Sequence, residues 1–493
     1  MPRATTPQAI AGKGSADPVW HGSCSATAER WESVPMSNRR KFLAQTAGFA
    51  VLGLSLGKAA AGSLPGIDNA SMRGSINAAD LGVQPGALDD QSKAFARLLR
   101  DANDRNMPVF LPPGTYVVSN LSLPSRIRLS GVPGASRIVY GGNGHLLMAE
   151  QAEHIELTGL VFDGTNRWMG DYAQGLLDLR RVAHLVIDNC QIAGSGKSGL
   201  ALDHASGRIE RSEISGSAEA GIYSVEAAGL EISGNTISDC ANGGILVHRW
   251  QAAEDGTIVS GNRVERIQAR SGGTGQNGNG INAFRAGNVI ISGNIVSDCA
   301  FSAIRANSAS NLHITGNTCS RSGETALYSE FSFEGAIVSN NIVDGAANGI
   351  SIVNFNEGGR MGVCSGNIVR NLSTSGPYPA DAPGFGVGIS VEADTAVSGN
   401  VIENAPRYGM HIGWGPFMRN VVATANIIRN AGTGIAVTVV EGAGTAVISD
   451  NVIDGAQNGA IVGHRWAEPV TGDLASSGNA GYAHLTIERN HVS

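Results

Sequence analysis

The sequence predicts an all-β solenoid, a three-sided parallel β-helix, on three observations. One short motif recurs through most of the chain, a second follows it at a nearly fixed distance, and helical periodicity is missing after about residue 105. The 493 residues include 67 glycines, about twice the usual ~7%, with 42% apolar and only 16% charged residues. Such a composition excludes a coiled coil, and the lack of a strict Gly-X-Y period excludes collagen. Length alone would imply roughly three domains at ~150 residues each, but a repeat overrides that count.

The first motif is apolar, Ser-Gly-Asn, any residue, apolar. It reads Ile232-Ser-Gly-Asn235-Thr-Ile237, then recurs with Asn262, Asn294, Asn317, Asn341, Asn367 and Asn400, with looser copies at Asn189, Ser212, Asn426, Asn451 and Asn490 and with Gly159 in the same place. The shortest interval between copies is 23 residues, about one coil of a three-sided solenoid, and any excess is loop. The second motif, Gly-Ile-x-apolar, places its Ile 9 or 10 residues after the first motif's Asn position at Gly221-Ile222, Gly244-Ile245, Gly349-Ile350 and Gly434-Ile435, and beyond an insertion at Gly280-Ile281 and Gly388-Ile389. Each coil is therefore three short alternating strands punctuated by Gly and Asn. Identical side chains stack from coil to coil, so the asparagines should form a hydrogen-bonded ladder in one turn. Parallel strands joined by crossovers are right-handed almost without exception.

Before the repeats, Asp89 or Asp90 caps a predicted helix running to about Ala102, with Phe95, Leu98 and Leu99 as its apolar face. The helix is expected to plug the open N-terminal end of the solenoid. The order Asp80-Leu-Gly-Val, Leu88-Asp-Asp-Gln-Ser-Lys-Ala-Phe95, Val109-Phe-Leu-Pro-Pro-Gly-Thr-Tyr-Val117, followed by an asparagine ladder, is similar to the pectate-lyase and polygalacturonase superfamily. That resemblance implies a right-handed helix with a substrate groove along the strand that carries Gly-Ile.

Ser37-Asn38-Arg39-Arg40-Lys41-Phe42-Leu43-Ala44, the uncharged stretch Gln45–Gly57 and the small-residue run Ala59–Ala61 resemble a twin-arginine export signal. Arg39, Arg40, Phe42 and Leu43 match its pattern, whereas Asn38 and Ala44 depart from it. With this signal the whole resembles a family of twin-arginine-translocated repetitive β-helix proteins without an established activity. The expected organisation is a spurious or disordered extension over 1–35, the signal over 36–61, a capping module over 62–115 and the β-helix over 116–493. The resemblance implies a passing partnership with the twin-arginine translocon and a periplasmic or secreted protein.

The formal charge is −7, and residues 1–61 hold seven of the basic and three of the acidic groups. The acidic remainder speaks against nucleic acid as a partner. Cys24, Cys190, Cys240, Cys299, Cys319 and Cys364 show no metal spacing and are read as core thiols. Gly273-Thr-Gly-Gln-Asn-Gly278 matches a nucleotide-binding pattern but precedes no helix, so it is discarded. His248-Arg249-Trp250 recurs as His464-Arg465-Trp466, either a duplicated surface stack or a sugar-stacking Trp.

Insertions at 164–174, 268–279 and 373–386 fall at equivalent points of their coils and should build one wall, with 251–257, 355–361 and 466–483 as the other. Alternation then names the outward side chains between the walls. Arg305, Tyr328, Glu330 and His411 are the candidate catalytic residues. His248, Asn282, Asn307, Asn354, Glu392, Asp394 and Trp414 are the candidate substrate-binding ones. This set fits a uronate lyase or C5-epimerase on a polysaccharide, since removing a proton α to a carboxylate needs a base and a charge neutraliser. The residues name no definite cofactor, although Glu330 with Glu392 could bind Ca²⁺. Hydrolysis ranks lower, because Glu330 and Glu392 are two coils apart, ~10 Å against the ~6.5–9.5 Å of inverting glycosidases. The alternative is a non-catalytic glycan-binding or scaffold protein, which the 5% aromatic content favours.

Four residues before the ladder stand Ile258, Ile290, Ile337, Val363, Ala396, Val422 and Val447, with His313 interrupting. If outward, they form an apolar stripe too long for a soluble monomer, which implies cover by a loop or a homo-oligomer. Loop 466–483 is expected to cover the C-terminal end.

Overall fold

A computed structural model describes residues 74–87, 89–353 and 359–493. The proposed extension and export signal, residues 1–61, lie outside them. Two short 3-10 turns, the helix Ser92–Asp104 and the four-residue helix Leu474–Ser477 interrupt an otherwise β-stranded chain. Among the described residues no helix is long and apolar enough to cross a membrane.

Every coil adds one strand to a 16-stranded sheet and its remaining strands to a 26-stranded sheet, with parallel neighbours throughout except at the C-terminal end. The inward rows form one continuous core, in which Ile187, Ile209, Ile232, Val259 and Ile291 are fully buried and in register. The five described cysteines are free and buried, and burial pushes each thiol pKa up.

The asparagine ladder is present. The Asn262 Oδ1 accepts from both the backbone nitrogen of Asn235 (2.9 Å) and its Nδ2 (3.1 Å), while Nδ2 of Asn235 also donates to the Ile209 carbonyl at 2.9 Å. The same pattern runs to Asn490. Gly159 and Asn189 do not belong to it. Both occupy the position one earlier, with φ of 64° and 50°, so Leu160 and Cys190 fall at the ladder position. That earlier position needs left-handed backbone, which is why the motif carries Gly there. The Gly of Gly-Ile has another cause: a Cβ on Gly244 would meet the Gly280 carbonyl oxygen at 2.2 Å.

The helix Ser92–Asp104 begins beside Asp90, whose Oδ1 accepts from the Ser92 nitrogen at 2.7 Å. It buries Phe95, Leu98, Leu99 and Ala102 against the strands Gly114–Val118, Leu121–Leu123 and Arg126–Ser130. At the other end, Glu468–Asp473 pairs antiparallel with Ile461–Arg465 and occupies its open edge, which blunts further pairing.

The expected apolar row does face outward, from Ile258 (39% exposed) to Val422 (39%), with its members directly paired from coil to coil. A second exposed apolar row lies across the ladder turn, from Ile295 (42%) to Val452 (39%).

Candidate active-site cleft

The outward row of the Gly-Ile strands is continuous in register: Tyr223, Leu246, Asn282, Arg305, Tyr328, Ser351, Ser390 and His411 stand on successive coils. Two residues on, His248, Phe284, Asn307 and Glu330 form a parallel row. Alternation thus places Arg305, Tyr328 and Glu330 on one face as expected. Their surroundings differ from an open groove.

Arg305 is enclosed, its side chain 12% exposed, by two carboxylates that are 2% and 3% exposed. Its Nε and Nη2 both lie 2.7 Å from Glu330 Oε1, and Nη1 lies 3.4 Å from Glu324 Oε2. The Tyr328 ring lies 5.0 Å from the guanidinium carbon. The 268–279 insertion folds over the group so closely that a Cβ at Gly275 would strike the guanidinium. The expected charge neutraliser therefore has its charge met inside the protein. Asn307 Nδ2 donates to the same Glu330 oxygen at 3.0 Å.

Glu324, not singled out by the sequence, is one of three carboxyls that line the cleft, with Asp381 and Glu392. Tyr378 Oη donates to its Oε1 at 2.5 Å and Ser302 Oγ to its Oε2 at 3.2 Å. Burial pushes the Glu324 pKa above the usual carboxylate range, although Arg305 and Tyr378 pull the other way. Burial also raises the pKa of Tyr328 and, joined by Glu324, that of Tyr378.

Glu324, Tyr328 and Tyr378 line a cleft of about 180 Å³ together with Asn348, Glu392, His411 and Trp414. The 373–386 insertion supplies the wall with Tyr378 and residues 380–385. Asn348 Oδ1 accepts from the nitrogens of Gly386 and Val387, both at 3.1 Å, which leaves its amide nitrogen as a donor for the cleft. Desolvation lowers the His411 pKa to about 4, so the ring is neutral near pH 7. Trp414 stacks edgewise on His411 and on Trp466.

Several expected residues stand elsewhere. Arg305 and Glu330 lie behind the cleft lining. Asn282 is buried one coil before Arg305. His248 is packed between the Tyr223 and Phe284 rings, 5.5 Å from each, and burial lowers its pKa to about 4. Asp394 does not join the site: at φ 47° it turns out of the strand and pairs with Arg419 (2.9 Å) and Asn420 (2.8 Å). Asn354 lies outside the described residues. No group of three or more His, Cys, Asp or Glu side chains that could hold a metal occurs among the described residues.

A second cleft of about 400 Å³ lies on the same face nearer the N-terminus. Tyr172 from the 164–174 insertion and Trp250, 67% exposed, stand among its lining residues above Ala201 and Tyr223. Asp178, 1% exposed, anchors it by accepting from Arg180 Nε (2.9 Å) and Nη2 (2.7 Å) and from the Gln174 nitrogen (2.9 Å). Five strand steps, from Tyr223 to Ser351, separate the clefts by ~24 Å.

Fold and clefts together define a parallel β-solenoid with a walled, chemically irregular face. The family described as right handed beta helix region matches residues 174–358 and 251–418, which supports placing the chain in that superfamily. No curated protein matches by sequence. Similar solved structures include the catalytic unit of a thermostable GH87 alpha-1,3-glucanase from Streptomyces thermodiastaticus strain HF3-3 (15% identity, 85% of this chain and 69% of that one, TM-score 0.43). PfbA, a surface adhesin of Streptococcus pneumoniae, is similar at 12% identity over 80% of this chain and 94% of that one, TM-score 0.47. So is the A-module of the Azotobacter vinelandii mannuronan C-5 epimerase AlgE6, at 13% identity over 85% and 99%, TM-score 0.41. At this distance none of them carries anything about the clefts.

Proposed function

We propose that the chain binds a polysaccharide along this face and performs proton-transfer chemistry on it at Glu324, as a uronate lyase or C5-epimerase. The observation that carries the reading is a buried carboxyl, raised in pKa, opening into a cleft between Tyr378, Tyr328 and neutral His411. A carboxylate of raised pKa is a stronger base near neutral pH, where proton abstraction is most effective. Glu324 takes the proton α to the substrate carboxylate. Tyr378, hydrogen-bonded to it and so on the same side of the substrate, hands a proton to the leaving oxygen in a lyase, whereas an epimerase needs its donor on the opposite ring face, for which the cleft lining offers Tyr328. The Asn348 amide meets the substrate carboxylate, and Arg305 with Glu330 positions Glu324. The solenoid is read as right-handed and three-sided, with the helix Ser92–Asp104 as its cap, and as reaching the periplasm or beyond by twin-arginine export.

The test is a panel of acidic and neutral polysaccharides read three ways: unsaturated-uronate absorbance, solvent deuterium entering at C5, and new reducing ends. Loss of the first or second signal in Glu324→Gln supports the reading, and new reducing ends without unsaturation replace it with hydrolysis. Binding without any turnover establishes the second reading, a glycan-binding protein, which the aromatic-lined N-terminal cleft favours.

A further inference from the structure

The cleft face, unlike the corner that carries the asparagine ladder, holds one constellation that occurs twice. His248-Arg249-Trp250 and His464-Arg465-Trp466 each begin on the third residue after an inward isoleucine, Ile245 and Ile461. Eight strand steps join those two, through Ile281, Ile304, Leu327, Ile350, Ile389, Met410 and Ile435. The surroundings repeat with the residues. Each histidine meets a tyrosine ring edge-on, Tyr223 at 5.5 Å and Tyr408 at 5.2 Å, and its buried Nε2 has no hydrogen-bond partner among the described residues. Each arginine turns back to a glutamate of the preceding coil, Arg249 to Glu226 at 2.5 Å and Arg465 to Glu441. Each indole stands where the chain has left the regular ladder, Trp250 in the bulge between His248 and Ala253 and Trp466 in the turn before Glu468–Asp473. Packing alone would bury the largest ring of such a motif, yet Trp250 is 67% and Trp466 45% exposed.

We infer that these two coils are the end stations of one glycan path, where Trp250 and Trp466 each carry a sugar ring of a long uronate chain. The inference rests on the reading of this face as a polysaccharide site. The cleft around Glu324 lies between the stations: Tyr328 to His411 stand three to six strand steps beyond Ile245 and five to two before Ile461. That cleft reaches the indole-bearing end of the strands at Glu392 and Trp414, and Trp414 lies 5.5 Å from the Trp466 ring. Trp250 lines the N-terminal cleft with Gln174, Arg180 and Asp203, so an apolar ring face and polar groups for hydroxyls meet there. Arg285, on the next coil, gives the station its charge. It donates to the Trp250 carbonyl at 2.6 Å, lies over the Phe284 ring at 4.8 Å, and pairs with no carboxylate among the described residues. An anionic sugar seated on Trp250 supplies the missing partner. The 268–279 insertion, which closes over Arg305, enters at the opposite end of the strands, and the path keeps to the end of the indoles. An extended pyranose chain advances by about one strand spacing per unit, so eight steps of ~4.8 Å, ~38 Å in all, take about eight units. The chain therefore presents an internal unit, not an end, to Glu324.

The experiment is calorimetric titration of the full chain with size-fractionated alginate and polygalacturonate, as tetramers and as dodecamers, beside a neutral glucan dodecamer. The uronate dodecamer of the preferred kind should bind about 10²-fold more tightly than its tetramer, as linked contacts do. Trp250→Ala should lower that ratio about tenfold, the loss of one good aromatic contact, and Trp250→Phe should keep most of it. Trp168, 68% exposed and lining neither cleft, is the control, and Trp168→Ala should leave the ratio as it is. Equal affinity for the two lengths, or a ratio that Trp250→Ala does not change, overturns the path and leaves the reading at Glu324 standing. A ratio lowered as far by Trp168→Ala overturns it as well. A neutral dodecamer bound as tightly overturns the part given to Arg285. A wild type that binds no glycan of either length overturns the polysaccharide reading itself, and the path falls with it.

Discussion

The asparagine corner and the cleft face are made by the same coils and obey opposite rules. At the corner most coils repeat their neighbours, Asn on Asn, Ser or Thr on Ser or Thr, Ile or Val on Ile or Val, with His313, Thr318 and Ala396 as the exceptions in the apolar rows. On the cleft face consecutive coils present Asn282, Arg305, Tyr328 and Ser351 in one register, with no side chain repeated. Repetition marks where a solenoid is stacking, because a ladder gains from identity at every step. Departure from the repeat marks where it has been fitted to something other than itself.

The largest expected difference between the two faces is in turnover. Glu324→Gln should reduce any glycan-processing rate by about 10²–10⁴-fold, the usual contribution of a positioned proton-transfer group, with thermal stability kept. Equal loss from a corner substitution such as Ser365→Ala would dissolve the distinction. Next in size is Arg305→Ala. Removal of the guanidinium leaves Glu330 and Glu324 buried without their cation, a loss of about 3–5 kcal/mol by precedent for broken buried pairs, measured by urea unfolding. The simple view that outward positions carry little packing predicts no loss. That view fails at Arg305, because the position is outward in register yet closed over by the 268–279 insertion.

Asn317→Ala tests the corner itself. It strips a shared acceptor from Asn294 and a donor from the Ile291 carbonyl, at about 1–3 kcal/mol for each buried group left unpaired, and should leave activity in the remaining folded protein untouched. Acid separates the faces further. His248 and His411 have folded pKa values lowered to about 4, so the unfolded chain binds more protons and stability falls as pH drops from about 6.5 toward 4. His411→Gln should flatten that slope in urea titrations at several pH values. Glu324, whose pKa is raised, tilts it weakly the other way. Smallest is Arg321→Ala, an exposed pair with Asp298, expected to change stability by less than about 1 kcal/mol.

What could be read from the sequence divides along the same line. The ladder, the outward apolar row and the register of Arg305, Tyr328 and Glu330 follow from repetition and alternation. Errors arise where phase is lost. Glu324 sits in a register shift between Ser322 and Thr325, and such a shift re-aims a side chain that alternation cannot track. Tyr378 comes from a long insertion without repeat. Asp394 has left-handed backbone in the following strand, Ala393–Ser398, beyond the end of the Gly-Ile strand at Val391. Gly159 and Asn189 mimic the ladder motif by composition, one residue out of place.

The ladder amides all point one way. Each oxygen accepts from the preceding coil, while each side-chain nitrogen donates to the oxygen of the next asparagine and back to a carbonyl of the preceding coil, so the stack of oxygens has a direction that coincides with the direction of synthesis. A chain that folds from its N-terminus as it is made therefore ends, at every stage, in a coil that holds out two amide hydrogens. The next asparagine to emerge brings the single oxygen that takes both. In a solenoid extended from its N-terminus, each coil thus presents the donors that the next asparagine caps, and the polarity of the spine runs with the chain.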